Sequence, residues 1–145
     1  MLRLRRSARR KPMGALLTPR DLDQAEDGVQ GAIVAYLRLV LPPAWLVQGT
    51  LNNARNAVHG ATEVRKGLTA GFPDVTVWGD RTRFRAASWL LEIKTLDGVV
   101  SDEQRMLHAR LEALGHPVAV VRSIEDVRAA GQAWGWPMRD VGLTL

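Results

Sequence analysis

The 145 residues contain no cysteine. Disulfides, thiol nucleophiles and Cys-based zinc sites are therefore excluded, and a reducing, intracellular setting fits. Histidine is nearly as scarce. His59, His108 and His116 show no metal-ligand spacing and read as ordinary surface or helix-end residues. No apolar run approaches the roughly 20 residues of a membrane-spanning helix, so a membrane partner is not expected. Tyrosine occurs once and phenylalanine twice, leaving five tryptophans as the bulk of the aromatic surface. These read as core or interface rather than as platforms for bases. Acid is missing where base is densest. Residues 1–20 hold Arg3, Arg5, Arg6, Arg9, Arg10, Lys11 and Arg20 and no Asp or Glu.

What remains is one domain's worth of chain, long enough to bury a core. The net charge is +5, from 20 bases and 15 acids. Seven of the bases sit in residues 1–20, so the other 125 residues carry 13 bases against 15 acids, a net of −2. Basicity belongs to a flexible N-terminal arm and not to the folded body. Such an arm suits a polyanion, with nucleic acid the obvious candidate. A plain solvated tail, an organelle transit peptide, or an upstream extension before a start at Met13 are the other readings of it.

The expected order is α-β-(α)-β-β-α-β-α, a small mixed sheet flanked by helices, over 21–145 as a single domain. Leu22, Ala25, Val29, Ile33, Tyr36, Leu37 and Val40 recur at helical spacing. Leu41-Pro42-Pro43 ends that helix. Strands are expected at Trp45–Thr50, Asp74–Trp78, Ser88–Thr95 and Val118–Arg122, the last of buried type. A helix is expected over Ser101–Leu114 with Leu107, Leu111 and Leu114 on one face, and a last one runs from Ser123 towards Trp134. Asn52–Gly67 is polar, with room for a short helix.

The chemistry centres on Gly71-Phe-Pro-Asp74, a strand, and then Glu92-Ile93-Lys94. Side chains two apart on a strand share a face, so Glu92 and Lys94 project together. If the two strands pair through the Gly79–Ala87 loop, Asp74 falls beside Glu92 and Lys94. Two convergent carboxylates repel unless a cation or proton joins them, and hard oxygen ligands select Mg2+ or Mn2+. Lys94 then orients a water or steadies charge on an attacked phosphate. These parts suit metal-dependent hydrolysis of a phosphodiester. An isolated E-x-K is, on its own, an ordinary surface salt bridge.

Glu26 and Gln30, one helical turn apart, flank the apolar stripe of the first helix. Glu26 is either a further metal or water ligand or an acid favoured near a helix N-terminus. Ser101-Asp-Glu-Gln104 is a capping box, and Gln104 also precedes the leucine face that points at the sheet. Arg81, Arg83 and Arg85 alternate in a loop, as phosphate contacts or as a solvated hairpin tip. Asn52, Asn53, Arg55, Arg65 and Lys66 form a second polar group just before the Asp74 turn, and Arg55, Arg65 and Lys66 of it are candidate DNA-binding residues.

Together and in order these pieces resemble a stand-alone virus-type replication-repair nuclease (VRR-NUC) domain, a branch of the PD-(D/E)XK nuclease superfamily. The resemblance runs from about Asp21 to Trp136 and adds Leu68-Thr-Ala before Gly71 and Gly115-His-Pro-Val-Ala-Val-Val at its end. It implies a restriction-endonuclease-like core and Mg2+- or Mn2+-dependent endonucleolytic cleavage of DNA. By motif, Asp74 and Glu92 would bind metal, Lys94 would serve the water, and Glu26 (also as a metal ligand) and Gln104 would complete the site. Small stand-alone members look like homodimeric resolvases of four-way (Holliday) junctions in bacteria and phages, which implies branched DNA as partner, roles in repair and recombination, and a cytoplasmic or nucleoid location. A flap, nicking or restriction-type nuclease, or a non-catalytic DNA-binding module, are the alternatives. The sequence departs from the family's pattern at Phe72, in the few bases between Thr95 and Gln104, and in its basic arm.

Overall fold

The structure is a computed structural model describing residues 19–50, 61–62, 65–80, 84 and 88–142, with side chains from residue 25 onward. Most of the basic arm, with Asn52, Asn53, Arg55, His59, Arg81, Arg83 and Arg85, lies outside the described residues.

Helix α1 spans Pro19–Val40. It opens on the proline, whose fixed φ suits a first helical position, so the boundary expected at residue 20 falls just inside the helix. Ile33, Leu37 and Val40 on its inner face are fully buried. Strand β1 is Leu46–Gly49, β2 is Val75–Trp78 and β3 is Ser88–Ile93. Helix α2 is Asp102–Ala113, β4 is Val118–Val121 and α3 is Ile124–Ala133. Residues 61, 62 and 65 are also helical, in line with a short helix in the polar stretch. No described helix is long and apolar enough to cross a membrane.

The strands lie in the order β1-β2-β3-β4, antiparallel for the first two pairings and parallel between β3 and β4. This is a mixed α/β architecture. The parallel pairing requires a crossover, which α2 supplies. One sheet face presents Val47, Val75, Val77, Trp89, Leu91, Ile93 and Val121 to α1 and α3, and these form the core. Trp45 stacks on Trp89 at 5.5 Å, with Trp136 edge-on to both. The opposite face, with Ser88, Leu90 and Glu92, lies beneath α2, where Leu107 is buried.

Two expectations need correction. Strand β4 is not a buried strand. It forms the sheet edge, only Val121 is buried, and Val120 is 40% exposed. Leu114 does not share the inward face of Leu107. It is the C-cap of α2, where the helix leaves the sheet, and it is 73% exposed. Gly115, at φ +90, closes that end with the two backbone bonds of a Schellman motif, Gly115 N–H to Glu112 O (2.9 Å) and His116 N–H to Leu111 O (3.0 Å).

Candidate active site

The site forms where β2 begins and β3 ends. Val75 pairs with Leu91, and continuing that register by one residue sets Asp74 across from Glu92. Asp74 Oδ2 accepts from the Ile93 N–H at 2.7 Å, which pins the carboxylate to β3. The Asp74 carbonyl accepts from Thr50 N–H at 2.7 Å and from Gln30 Nε2 at 3.4 Å. Gln30 of the first helix thus braces the turn carrying the aspartate. That turn contains the buried Pro73 and Gly71. Gly71 has φ +73, and a Cβ there would stand 3.3 Å from the Gln104 backbone nitrogen. Glycine therefore lets the turn close against the start of α2.

Glu92 is fully buried within β3. Its Oε1 accepts from Gln104 Nε2 at 2.5 Å and meets Lys94 Nζ at 3.1 Å. Its Oε2 lies 3.4 Å from His108 Nε2. Glu26 reaches in from α1, its Oε1 3.9 Å from Lys94 Nζ. Lys94 sits one residue past the strand, its backbone N–H bound to Val121 O at 3.0 Å. Arg122 then clamps the turn beyond it, donating to the carbonyls of Thr95, Leu96 and Gly98.

Burial pushes the Glu92 carboxyl up to about 7, Asp74 and Glu26 push the same way, and only Lys94 pulls it down. Desolvation outweighs the one nearby cation, so Glu92 exchanges its proton close to neutrality. Burial also lowers His108, with Lys94 adding to that effect against Glu112 and Asp74. His108 therefore meets Glu92 as a neutral hydrogen-bonding ring rather than as a cation.

The structure thus brings together Asp74, Glu92, Lys94, Glu26, Gln30 and Gln104. Gln104 serves both readings at once. Its backbone N–H takes the Ser101 cap at 3.1 Å, its Oε1 takes the Ser101 N–H, and its Nε2 holds Glu92. Arg65 and Lys66 are exposed, Arg65 donating to Thr62 Oγ1 at 3.4 Å. His108 corrects the reading of the histidines as surface residues, since its side chain is only 13% exposed and turned to Glu92. The available signal was its spacing of four from Gln104, which stacks both on one helix face.

Two carboxylates with hard oxygens, one of them raised to about 7 by burial first and by the other's field second, match the needs of a divalent cation. Among the described residues, however, no three His, Asp or Glu side chains converge closely enough to hold one as arranged. Glu26 is turned to Lys94 instead.

The VRR-NUC domain family matches residues 47–125, more than half of the chain, from the second residue of β1 through β2, β3, α2 and β4. The chain belongs to the VRR-NUC family. It is thereby a nuclease-type domain, and the matched span holds Asp74, Glu92, Lys94, Gln104 and His108. Glu26 and Gln30 lie ahead of that span. A solved VRR_NUC domain protein superposes with a TM-score of 0.60 over 75% of this chain and 86% of that one. At 18% identity the likeness is one of fold. No curated protein matches the chain.

Proposed function

We propose that this VRR-NUC protein is a metal-dependent DNA endonuclease with its hydrolytic centre at Asp74, Glu92 and Lys94. The observation that carries the reading is the buried Glu92 carboxylate held 3.1 Å from Lys94 Nζ and beside Asp74. A structural salt bridge does not call for a second acid beside it, and replacing such a buried pair by apolar residues is often neutral or stabilising.

Asp74 and Glu92, together with Glu26, would hold Mg2+ or Mn2+, which when bound would lower the pKa of a water and polarise the scissile phosphate. Lys94 brings a positive charge to the place where charge builds on the attacked phosphate, and its ammonium can orient the attacking water. Gln104 and His108 fix the plane of the Glu92 carboxylate. Gln30 and Gly71 hold the Asp74 turn against β3 and α2.

Branched DNA, the four-way junction above all, is the proposed substrate, and a homodimer the proposed form. Junctions have two-fold symmetry and need paired cuts, which a C2 dimer matches. The net −2 of residues 21–145 gives the body little grip on DNA alone, whereas two arms at +7 each would add it. Labelled four-way junction, flap and linear duplex, each incubated with Mg2+, Mn2+ or EDTA, test this directly. Symmetric metal-dependent cuts in the junction support the resolvase. Cutting of flap or duplex alone replaces the substrate and keeps the nuclease. DNA binding without cleavage under any metal points to a non-catalytic module.

A further inference from the structure

A cavity of about 280 Å³ opens between the C-terminal half of α1, the end of α3 and the segment that follows it. Tyr36, Arg128, Gln132, Trp136, Arg139 and Asp140 line it. Tyr36 stands ten residues after Glu26 on α1, roughly 15 Å along the axis at about 1.5 Å per residue. The cavity is therefore separate from the carboxylate cluster.

Its wall is built and donor-rich. Trp136 is 5% exposed, and its indole N–H is buried with no hydrogen-bond partner among the described residues. Gly131 shapes this wall, since a Cβ there would lie 2.7 Å from the Trp136 ring and 2.9 Å from the Met138 sulfur. Arg139 is anchored by its backbone N–H to Val40 O (2.9 Å) and by Nε to Leu39 O (2.5 Å). That leaves its terminal nitrogens for another acceptor. The Arg128 guanidinium is close enough to Tyr36 to oppose the upward push of burial on the phenol. Two guanidinia, a phenol and an amide line the cavity together with one carboxylate, Asp140, which already accepts from Gly142 N–H at 2.9 Å.

We propose that this cavity is a phosphate-binding subsite. Guanidinium forks recognise phosphate oxygens with charge-assisted bonds, and the Tyr36 phenol and Gln132 amide supply neutral donors beside them. The space is far larger than one water of about 30 Å³, and Met138 and Val141, packed on the core, give an apolar side for the sugar edge beside the phosphate. The ligand is a phosphate of the DNA strand, an assignment that rests on the DNA-cleaving reading above.

The test follows the indole N–H resonance of Trp136 in the full 15N-labelled chain without metal, assigned by its absence in Trp136→Phe. Inorganic phosphate and a short single-stranded oligonucleotide are titrated separately. Both are expected to move the resonance saturably, and Arg128→Gln, at a half-exposed position, is expected to weaken both by roughly tenfold or more with the fold unchanged. Arg139→Gln should act in the same direction. A resonance that stays fixed with both probes, or moves equally in Arg128→Gln and Arg139→Gln, overturns the subsite. Movement with phosphate alone overturns the DNA-strand assignment and leaves a free-phosphate site. The measurement needs no cleavage, so a protein that binds phosphate here and cuts no DNA would refute the nuclease reading and not this one.

Discussion

Gln104 and His108, four positions apart on α2, each take one oxygen of the Glu92 carboxylate, at 2.5 Å and 3.4 Å. Helix geometry makes this possible, because side chains at that spacing stack on one face. The carboxylate is thereby fixed in plane before any substrate or cation arrives. Partners that orient a ligand in this way are worth about 10–100-fold in metal affinity or activity. We expect His108→Ala to lower cleavage in that range and to raise the Mn2+ concentration needed for half-maximal rate. His108→Gln, which keeps a donor, should recover part of it. A metal titration of the cleavage rate in the three proteins checks this.

Glu92 also sets a pH dependence of stability. Its carboxyl is raised from 4.5 to about 7 on folding, so the folded state holds the proton more tightly than the unfolded state. Stability is therefore greatest below about 4.5 and is lost as pH climbs towards 7. The loss is about 3 kcal/mol at most. Melting of wild type against Glu92→Gln from pH 4 to pH 8 should show a steeper loss of stability with rising pH in the first protein. Mn2+ should raise the melting temperature more at pH 8 than at pH 5, since it favours the ionised form.

Gly71 carries the Asp74 turn in a left-handed conformation, packed on the backbone of α2. Gly71→Ala imposes a strain of about 1 kcal/mol and pushes that turn from Gln104. A drop in melting temperature is expected, accompanied by a loss of cleavage larger than the drop explains. Unchanged activity at a temperature well below melting would argue that the turn does not position Asp74.

Arg122 bonds the carbonyls of Thr95, Leu96 and Gly98 just beyond Lys94. Arg122→Ala leaves those carbonyls to water, at about 1–3 kcal/mol for the lost charge-assisted bonds. The turn should exchange its amide hydrogens faster, and cleavage should fall through the maximal rate rather than through DNA affinity. Amide exchange at residues 95–98 and a saturation curve on one DNA substrate read both effects.

Much of this was legible in the sequence because it depends on local rules. The Pro42-Pro43 stop, the Ser101 box and the Gly115 end each follow from backbone chemistry within a few residues. The meeting of Asp74 with Glu92 followed from strand period and a hairpin register. What stayed hidden depends on which face is covered and by what. Val118–Val121 has the composition of a buried strand, yet it forms the edge. His108 gives no sign by itself, because its partner's free oxygen is set by how α2 lies on β3. The cavity beside Tyr36 gathers residues 36, 128, 132 and 136–141, a set that no spacing in the chain announces.

The central claim is that Lys94 and its two acids form a hydrolytic centre and not a salt bridge buried for stability. Lys94→Met, which keeps the aliphatic stem and removes the charge, separates the two. Cleavage rate with Mn2+ and melting temperature are measured on the same preparation. The account predicts a fall in rate of at least about 100-fold, the scale of losing one preorganised charge-stabilising group, in a folded protein that still binds DNA. Cleavage at the wild-type rate in Lys94→Met would contradict it.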